Sequence, residues 1–450
     1  MADTGSGVTD YPVLVITLIV GATVLVLVYI SSLLKSSKGE DDVKSSEAEV
    51  PKKEKQKDSS SSSLKSSKKK HSEKWVRDSK QAFSHPWLLT SLKGHSGEVL
   101  DMDFSSNGKF LATCAEDRAV LIWSTKDWNQ KDHKSLRINI EFDHAQFVKW
   151  SPDCKAFIVH KAAEKVVEVY KVAKKADGWI SGVAKALTFP KHHEDDVVGL
   201  GIACNGKYIM SCSDKNELVV WDLKGEQLAK VDTYLMTTIC AQISPCARFV
   251  VASGFAPDVK VWEVKFSKLG EFQQVSRAFE LTGHSSGVYS VGFSADSSRM
   301  ATVSKDGTWK AFNTKIEYEK GEDPHLLSSG KYNHTGSPAH IAMSPNGEVV
   351  VVASGNSLAF YSVQTGECDN IIEDIYSGPI SCLLFDSLGK YVLTGGEKHV
   401  RVFHNVTGYR ATIASIQAKM RQPLSSAQKE RMEQQIQEAE MFLKSVGETR

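Results

Sequence analysis

No two cysteines in this 450-residue chain form a C-x-x-C pair. The eight present (Cys114, Cys154, Cys204, Cys212, Cys240, Cys246, Cys368 and Cys382) also lack the regular spacing of a disulfide framework. That absence argues against a disulfide-stapled secreted scaffold and fits a reducing compartment. Several lie in strand-like runs such as Thr113-Cys114-Ala115, where a free cysteine acts as a small buried hydrophobe. An excess of charge of one sign is missing too. With 55 Lys and Arg against 54 Asp and Glu, composition does not demand nucleic acid or an acidic surface as the obligatory partner.

Catalytic constellations are equally scarce. Gly201-Ile202-Ala203-Cys204-Asn205-Gly206-Lys207-Tyr208 has phosphate-loop spacing, but Tyr208 stands where a Mg²⁺-binding Ser or Thr is needed. The run also reads as a hairpin turn between two strands, with no helix following to hold phosphate. His192-His193 before Glu194, Asp195 and Asp196 lacks the spaced ligands of a zinc site and reads as loop polarity. No Ser or Cys has a base and an orienting group at recognisable spacing. The expectation is a non-enzyme, with no catalytic, cofactor-binding or metal-ligating residue and no small-molecule substrate.

Between Tyr11 and Leu34 there is no charged residue at all. A helix of about 20 apolar residues spans a bilayer core, so 11–34 is predicted to be a single-pass transmembrane anchor. Residues 1–10 form a short tail without Lys or Arg, unlike the basic start of a cleaved signal peptide. Lys35, Lys38, Lys44, Lys52 and Lys53 follow the span, which by the positive-inside rule places everything after it in the cytosol. The sequons at Asn333 and Asn405 are then chance matches. Residues 35–80 turn to Ser, Lys and Glu, with a serine run at 59–63 and the triplet Lys68-Lys69-Lys70. Such a segment buries too little apolar surface to order itself and reads as a tether.

What remains, 81–408, repeats. The clearest unit runs Leu92-Lys93-Gly94-His95, Val99 to Ser105, an Asn107-Gly108 turn, Phe110 to Thr113, Asp117, then Leu121-Ile122-Trp123. The fifth has Gly283-His284, Val288 to Ser294, Met300-Ala301-Thr302, Asp306-Gly307 and Phe312, and five weaker copies bring the total to seven. Each is a set of short alternating β-runs split by Gly, Asn, Asp or Pro, at a period of about 40–45 residues.

The recurring Gly-His pair, Ser-Pro or Phe-Ser turn, Asp and terminal Trp resemble the WD-repeat family. The resemblance implies an all-β, seven-bladed β-propeller, here preceded by one transmembrane helix and followed by a C-terminal α-helix. It implies intrablade hydrogen-bonded tetrads, His95, Thr113, Asp117 and Trp123 in the first unit, and His284, Thr302 and Asp306 in the fifth, with Phe312 replacing Trp. In the third unit Lys215 stands where Asp is expected, which puts that tetrad in doubt. Trp87 to Leu92 is placed to complete the last blade and close the ring. Family propellers bind at the rim of the central channel, and the matching positions are Leu100, Glu116, Gln146, Val198, Tyr289 and Lys305. Asp196, Asp214 and Glu397 lie near equivalent places, so the rim leans acidic and suits a partner segment bearing Lys or Arg.

Within 409–450, Ser425-Ser426-Ala427-Gln428 reads as a capping box opening a helix with the stripe Met432, Ile436, Ala439, Leu443 and Val446. Over its whole length the chain is similar to a membrane-anchored member of the family, which implies an endoplasmic reticulum membrane protein with a cytosol-facing propeller. The expected role is a scaffold recruiting cytosolic or membrane-associated proteins, such as signalling or translation components. The competing expectation is an RNA- or ribosome-binding membrane adaptor, with the basic tether contacting phosphates.

Overall fold

The computed structural model describes residues 83–448 except 131, 177 and 424. The anchor expected at 11–34 and the tether expected at 35–80 lie outside the described residues. Among the described residues no helix is long and apolar enough to cross a membrane.

The described residues form seven antiparallel four-stranded sheets. Blades 1 to 6 are each built from consecutive strands, innermost first. Blade 1 has Val99–Phe104, Phe110–Ala115, Ala119–Ser124 and Ser135–Asn139. The burial along each strand follows from its place. Phe110–Ala115 and Val349–Ser354 sit second in their blades, pressed by neighbouring blades on both faces, and every residue is buried. Ser135–Asn139 is the outer strand of blade 1 and alternates exposed with half-buried, as the pleat dictates.

Innermost strands of successive blades touch one another around the axis. Closure comes from the blade with mixed origin: Cys382–Phe385, Tyr391–Gly396 and His399–His404 are joined by Leu88–Lys93 from before blade 1. Leu92 pairs with Val400 and Ser91 with Arg401. Across the seam between blades 7 and 1, Val99 N–H donates to the Glu397 carbonyl at 2.7 Å. The joined strand leaves blade 7 with no unpaired outer edge of its own third strand.

Beyond the last strand stand two helices, α1 (Val406–Met420) and α2 (Ser426–Ser445). Where one C-terminal helix was expected, α1 begins at Val406, inside the range assigned to the propeller. Its signal was weak because Gly408 and the β-branched Val406 and Thr407 occupy its first turn, and these are poor helix formers. The start is fixed instead by Asn405, whose side chain accepts from Gly408 N–H at 2.9 Å and donates to the Gly389 carbonyl at 2.8 Å. That amide is therefore buried in the helix cap. The predicted capping box at Ser425 and Gln428 opens α2. Of its stripe, Ala439 is buried and Met432, Ile436, Leu443 and Val446 are half-buried. Leu443 and Val446 pack on the propeller core beside Trp87 and Phe403.

Candidate functional site

The His-Ser/Thr-carboxylate networks fix the loops that carry the rim. In blade 1, Trp123 Nε1–H donates to Thr113 Oγ1 at 3.0 Å, Thr113 Oγ1 lies 2.8 Å from His95 Nε2, and His95 Nδ1 faces Asp117 Oδ1 at 3.2 Å. Asp117 also accepts Ser96 N–H at 2.8 Å. Burial pushes the His95 pKa down against the pull of Asp117. The imidazole is therefore neutral near pH 7 and can offer one donor and one acceptor.

Blade 5 repeats the arrangement with His284, Thr302 and Asp306, at 2.8 and 3.0 Å. Phe312 is buried there but brings no indole donor to Thr302. Blade 3 forms a full network despite Lys215. His193 bridges Ser211 Oγ at 2.7 Å and Glu217 Oε2 at 3.0 Å, and Trp221 Nε1–H donates to the same hydroxyl at 2.9 Å. The carboxylate has moved from the turn to the start of the third strand, and its longer side chain spans the gap.

Leu100, Gln146, Val198 and Tyr289 share one backbone feature. In blades 1 to 5 the innermost strand carries one extra residue against its neighbour, between Val99 and Asp101, Ala145 and Phe147, Val197 and Gly199, Thr238 and Cys240, and Val288 and Ser290. The four nominated residues are those extra residues, and Ile239 is the fifth. A bulge leaves its residue outside the ladder and re-aims the side chain. All five are half-buried at one end of the ring. Tyr289 is held by stacking on His334 and a 3.2 Å contact from its hydroxyl to His334 Nε2. Leu100 packs on the cluster between blades 1 and 2. Glu116 and Lys305 are exposed at the same end, on the hairpins between second and third strands.

Sequence reasoning overlooked a charged seam inside the innermost strands. Lys149 Nζ lies 2.7 Å from Asp101 Oδ2. Asp101 accepts Val148 N–H at 3.0 Å, and Asp103 accepts Trp150 N–H at 2.7 Å. Two carboxylates at i and i+2 of one strand thus stitch blade 1 to blade 2. Burial raises the Asp103 carboxyl from 3.8 to about 6, against the opposing charge of Lys149. A group with a raised folded pKa stabilises fully below its unfolded value, and that contribution is lost as pH rises through the folded one. Urea unfolding should therefore show the stability of the native chain, relative to Asp103→Asn, falling as pH rises from 3.8 through about 6. A flat difference would refute the raised pKa.

Seven closed four-stranded blades, with these networks behind a loop-bearing rim, define a WD-repeat β-propeller, a fold that is typically a non-catalytic interaction scaffold. The WD domain, G-beta repeat family matches at residues 86–124, 185–222, 275–313 and 369–404, and the first three of these stretches contain every residue of the blade 1, 3 and 5 networks. Human transducin beta-like protein 2 is 45% identical over 390 residues, covering 85% of this chain and 87% of its own. The mouse protein of the same name is 45% identical over 385 residues, with the same coverage. Autophagy-related protein 16 of Arabidopsis thaliana is 24% identical over 304 residues, 66% of this chain and 54% of its own. The chain belongs to the transducin beta-like protein 2 family of WD-repeat proteins.

Proposed function

We propose that this chain is a membrane-tethered recruitment scaffold: residues 11–34 anchor it in the endoplasmic reticulum membrane, 35–80 hold it off the bilayer, and the propeller binds cytosolic protein segments at its rim. The observation that carries this reading is the ring of bulged residues, Leu100, Gln146, Val198, Ile239 and Tyr289, all at the loop-bearing end that also displays Glu116. Supporting the anchor are the uncharged run at 11–34 and the lysines that follow it. Supporting the tether is the Ser- and Lys-rich composition of 35–80, which offers little apolar surface to bury. Translation and stress-signalling components are the partners in keeping with that membrane surface.

Protease treatment of intact microsomes tests the arrangement. The propeller is expected to be digested from outside and to carry no glycan. Asn333 is the informative sequon, since it is exposed while Asn405 is sealed in the cap of α1. A protected propeller, or one glycosylated at Asn333, would place it in the lumen and overturn the cytosolic recruitment role.

A further inference from the structure

The loop-bearing end of the ring is not uniform. Between blades 3 and 4, Tyr234 and Met236 are 75% and 80% exposed, and on the neighbouring hairpin of blade 4 Phe255 is 53% exposed. Tyr234 and Met236 have φ of 50° and 67°. This left-handed region is unfavourable for a residue with a side chain. The turn is nonetheless held firmly. Leu235, between the two displayed residues, is fully buried. Asn216 Nδ2–H donates to the Met236 carbonyl at 3.1 Å, Lys260 to the Tyr234 carbonyl at 3.0 Å, and Phe255 N–H to the Thr237 carbonyl at 3.0 Å. A Cβ at Gly254 would lie 2.1 Å from the Thr237 oxygen, so the two loops can meet this closely only with glycine there. Three large, mostly apolar side chains are thus presented to solvent on a fixed backbone, where a partner could bury them.

On the far side of the ring, where blades 7 and 1 meet, stand Glu98, Glu116 and Glu397. Glu116 N–H donates to the Glu98 carbonyl at 3.0 Å and Val99 N–H to the Glu397 carbonyl at 2.7 Å, so the three share one corner of the same end. Burial, then the charges of Glu116 and Glu397, push the Glu98 carboxyl up. Blades follow chain order around the axis, which puts the seam of blades 7 and 1 opposite blade 4.

The geometry points to a bipolar docking face: a polypeptide segment with bulky apolar side chains at one end and Lys or Arg at the other lies across the channel mouth, apolar end on Tyr234, Met236 and Phe255, basic end over Glu98, Glu116 and Glu397. This deepens the recruitment reading, on which it rests, by adding an apolar anchor remote from the acidic rim. A polyanion fits worse, because its phosphates would meet the glutamate corner.

Panning a random-peptide display library on the full-length chain in detergent is the test, followed by binding of the enriched peptides, made fluorescent, over a range of salt. Enriched sequences are expected to combine separated apolar and basic clusters. Tyr234→Asn with Met236→Asn keeps residues that tolerate the left-handed backbone, and should weaken binding roughly thirtyfold at every salt concentration. Glu116→Gln with Glu397→Gln should weaken it severalfold at low salt, and the difference should vanish at high salt. Peptides carrying basic residues alone, bound equally by the Asn variant, would refute the apolar anchor while leaving the rim reading intact. No enrichment at all would sink both. Binding of a single-stranded oligouridine that the Asn variant abolishes would assign the patch to nucleic acid and overturn the proposal.

Discussion

Replacing Thr113 by valine is expected to lower the unfolding free energy by about 3 kcal/mol, the cost of leaving one or two buried polar groups unpaired. Thr113 is fully buried, and its hydroxyl lies between Trp123 Nε1 at 3.0 Å and His95 Nε2 at 2.8 Å. Valine has nearly the same shape, so no cavity opens and the loss is one of hydrogen bonding. It strands the indole N–H and one imidazole nitrogen inside blade 1. Thr113→Ser keeps the hydroxyl and should recover most of the loss. Thr302→Val in blade 5 should cost less, about 1–2 kcal/mol, because Phe312 supplies no indole donor to strand. Urea unfolding of the three variants checks the series. A Thr113→Val protein as stable as the native one would show that the network does not hold blade 1, and an effect in blade 5 equal to that in blade 1 would show that the indole donor adds nothing.

That comparison also shows why some of the molecule was legible in its sequence. Gly-His, Thr, Asp and Trp at fixed spacing announce the blade 1 network because each residue type has one role there. Blade 3 hid its network, since the expected Asp position holds Lys215 while Glu217 reaches His193 from the next strand. The signal was a second acid two residues further on, at the start of the third strand, and the longer reach of Glu made it serviceable. Leu100, Gln146, Val198 and Tyr289 were nominated by position, but the one-residue bulge they share depends on pairing and is invisible in a single strand. Ile239, the equivalent residue of blade 4, was not among them. Asp101 and Asp103 alternate on one strand face, which was readable. What they bind is the backbone of blade 2, which no local pattern encodes. Tyr234 and Met236 look like ordinary loop hydrophobes until the buried Leu235 between them fixes which way they point.

Ring closure concentrates at Trp87, and Trp87→Ala is expected to cost about 4 kcal/mol, the usual range for emptying a buried aromatic site. The side chain is fully buried, meets Phe360 of blade 6 edge-on at 5.0 Å, and donates from Nε1 to Glu448 Oε1 at 2.6 Å. Its own carbonyl accepts His404 N–H at 2.8 Å, at the start of the pairing between Leu88–Lys93 and His399–His404. Glu448 accepts Arg410 at 2.5 Å, and Arg410 reaches Asp369 of blade 6 at 2.8 Å. The segment after α2, the helix α1 and the outer part of blade 6 therefore converge on the residue that introduces the closing strand. Trp87→Phe retains most of the packing and loses only the bond to Glu448, so about 1–2 kcal/mol is expected, and Glu448→Ala, which also removes a partner of Arg410, should cost at least as much. Hydrogen exchange locates the effect: in Trp87→Ala, amides of 88–93 and 399–404 should lose protection before those of blades 2 to 4, because an opened ring exposes the edge of blade 7 first. Uniform loss of protection would mean that Trp87 supports the whole core and not closure in particular, and unchanged protection would mean that the strand pairing closes the ring without it.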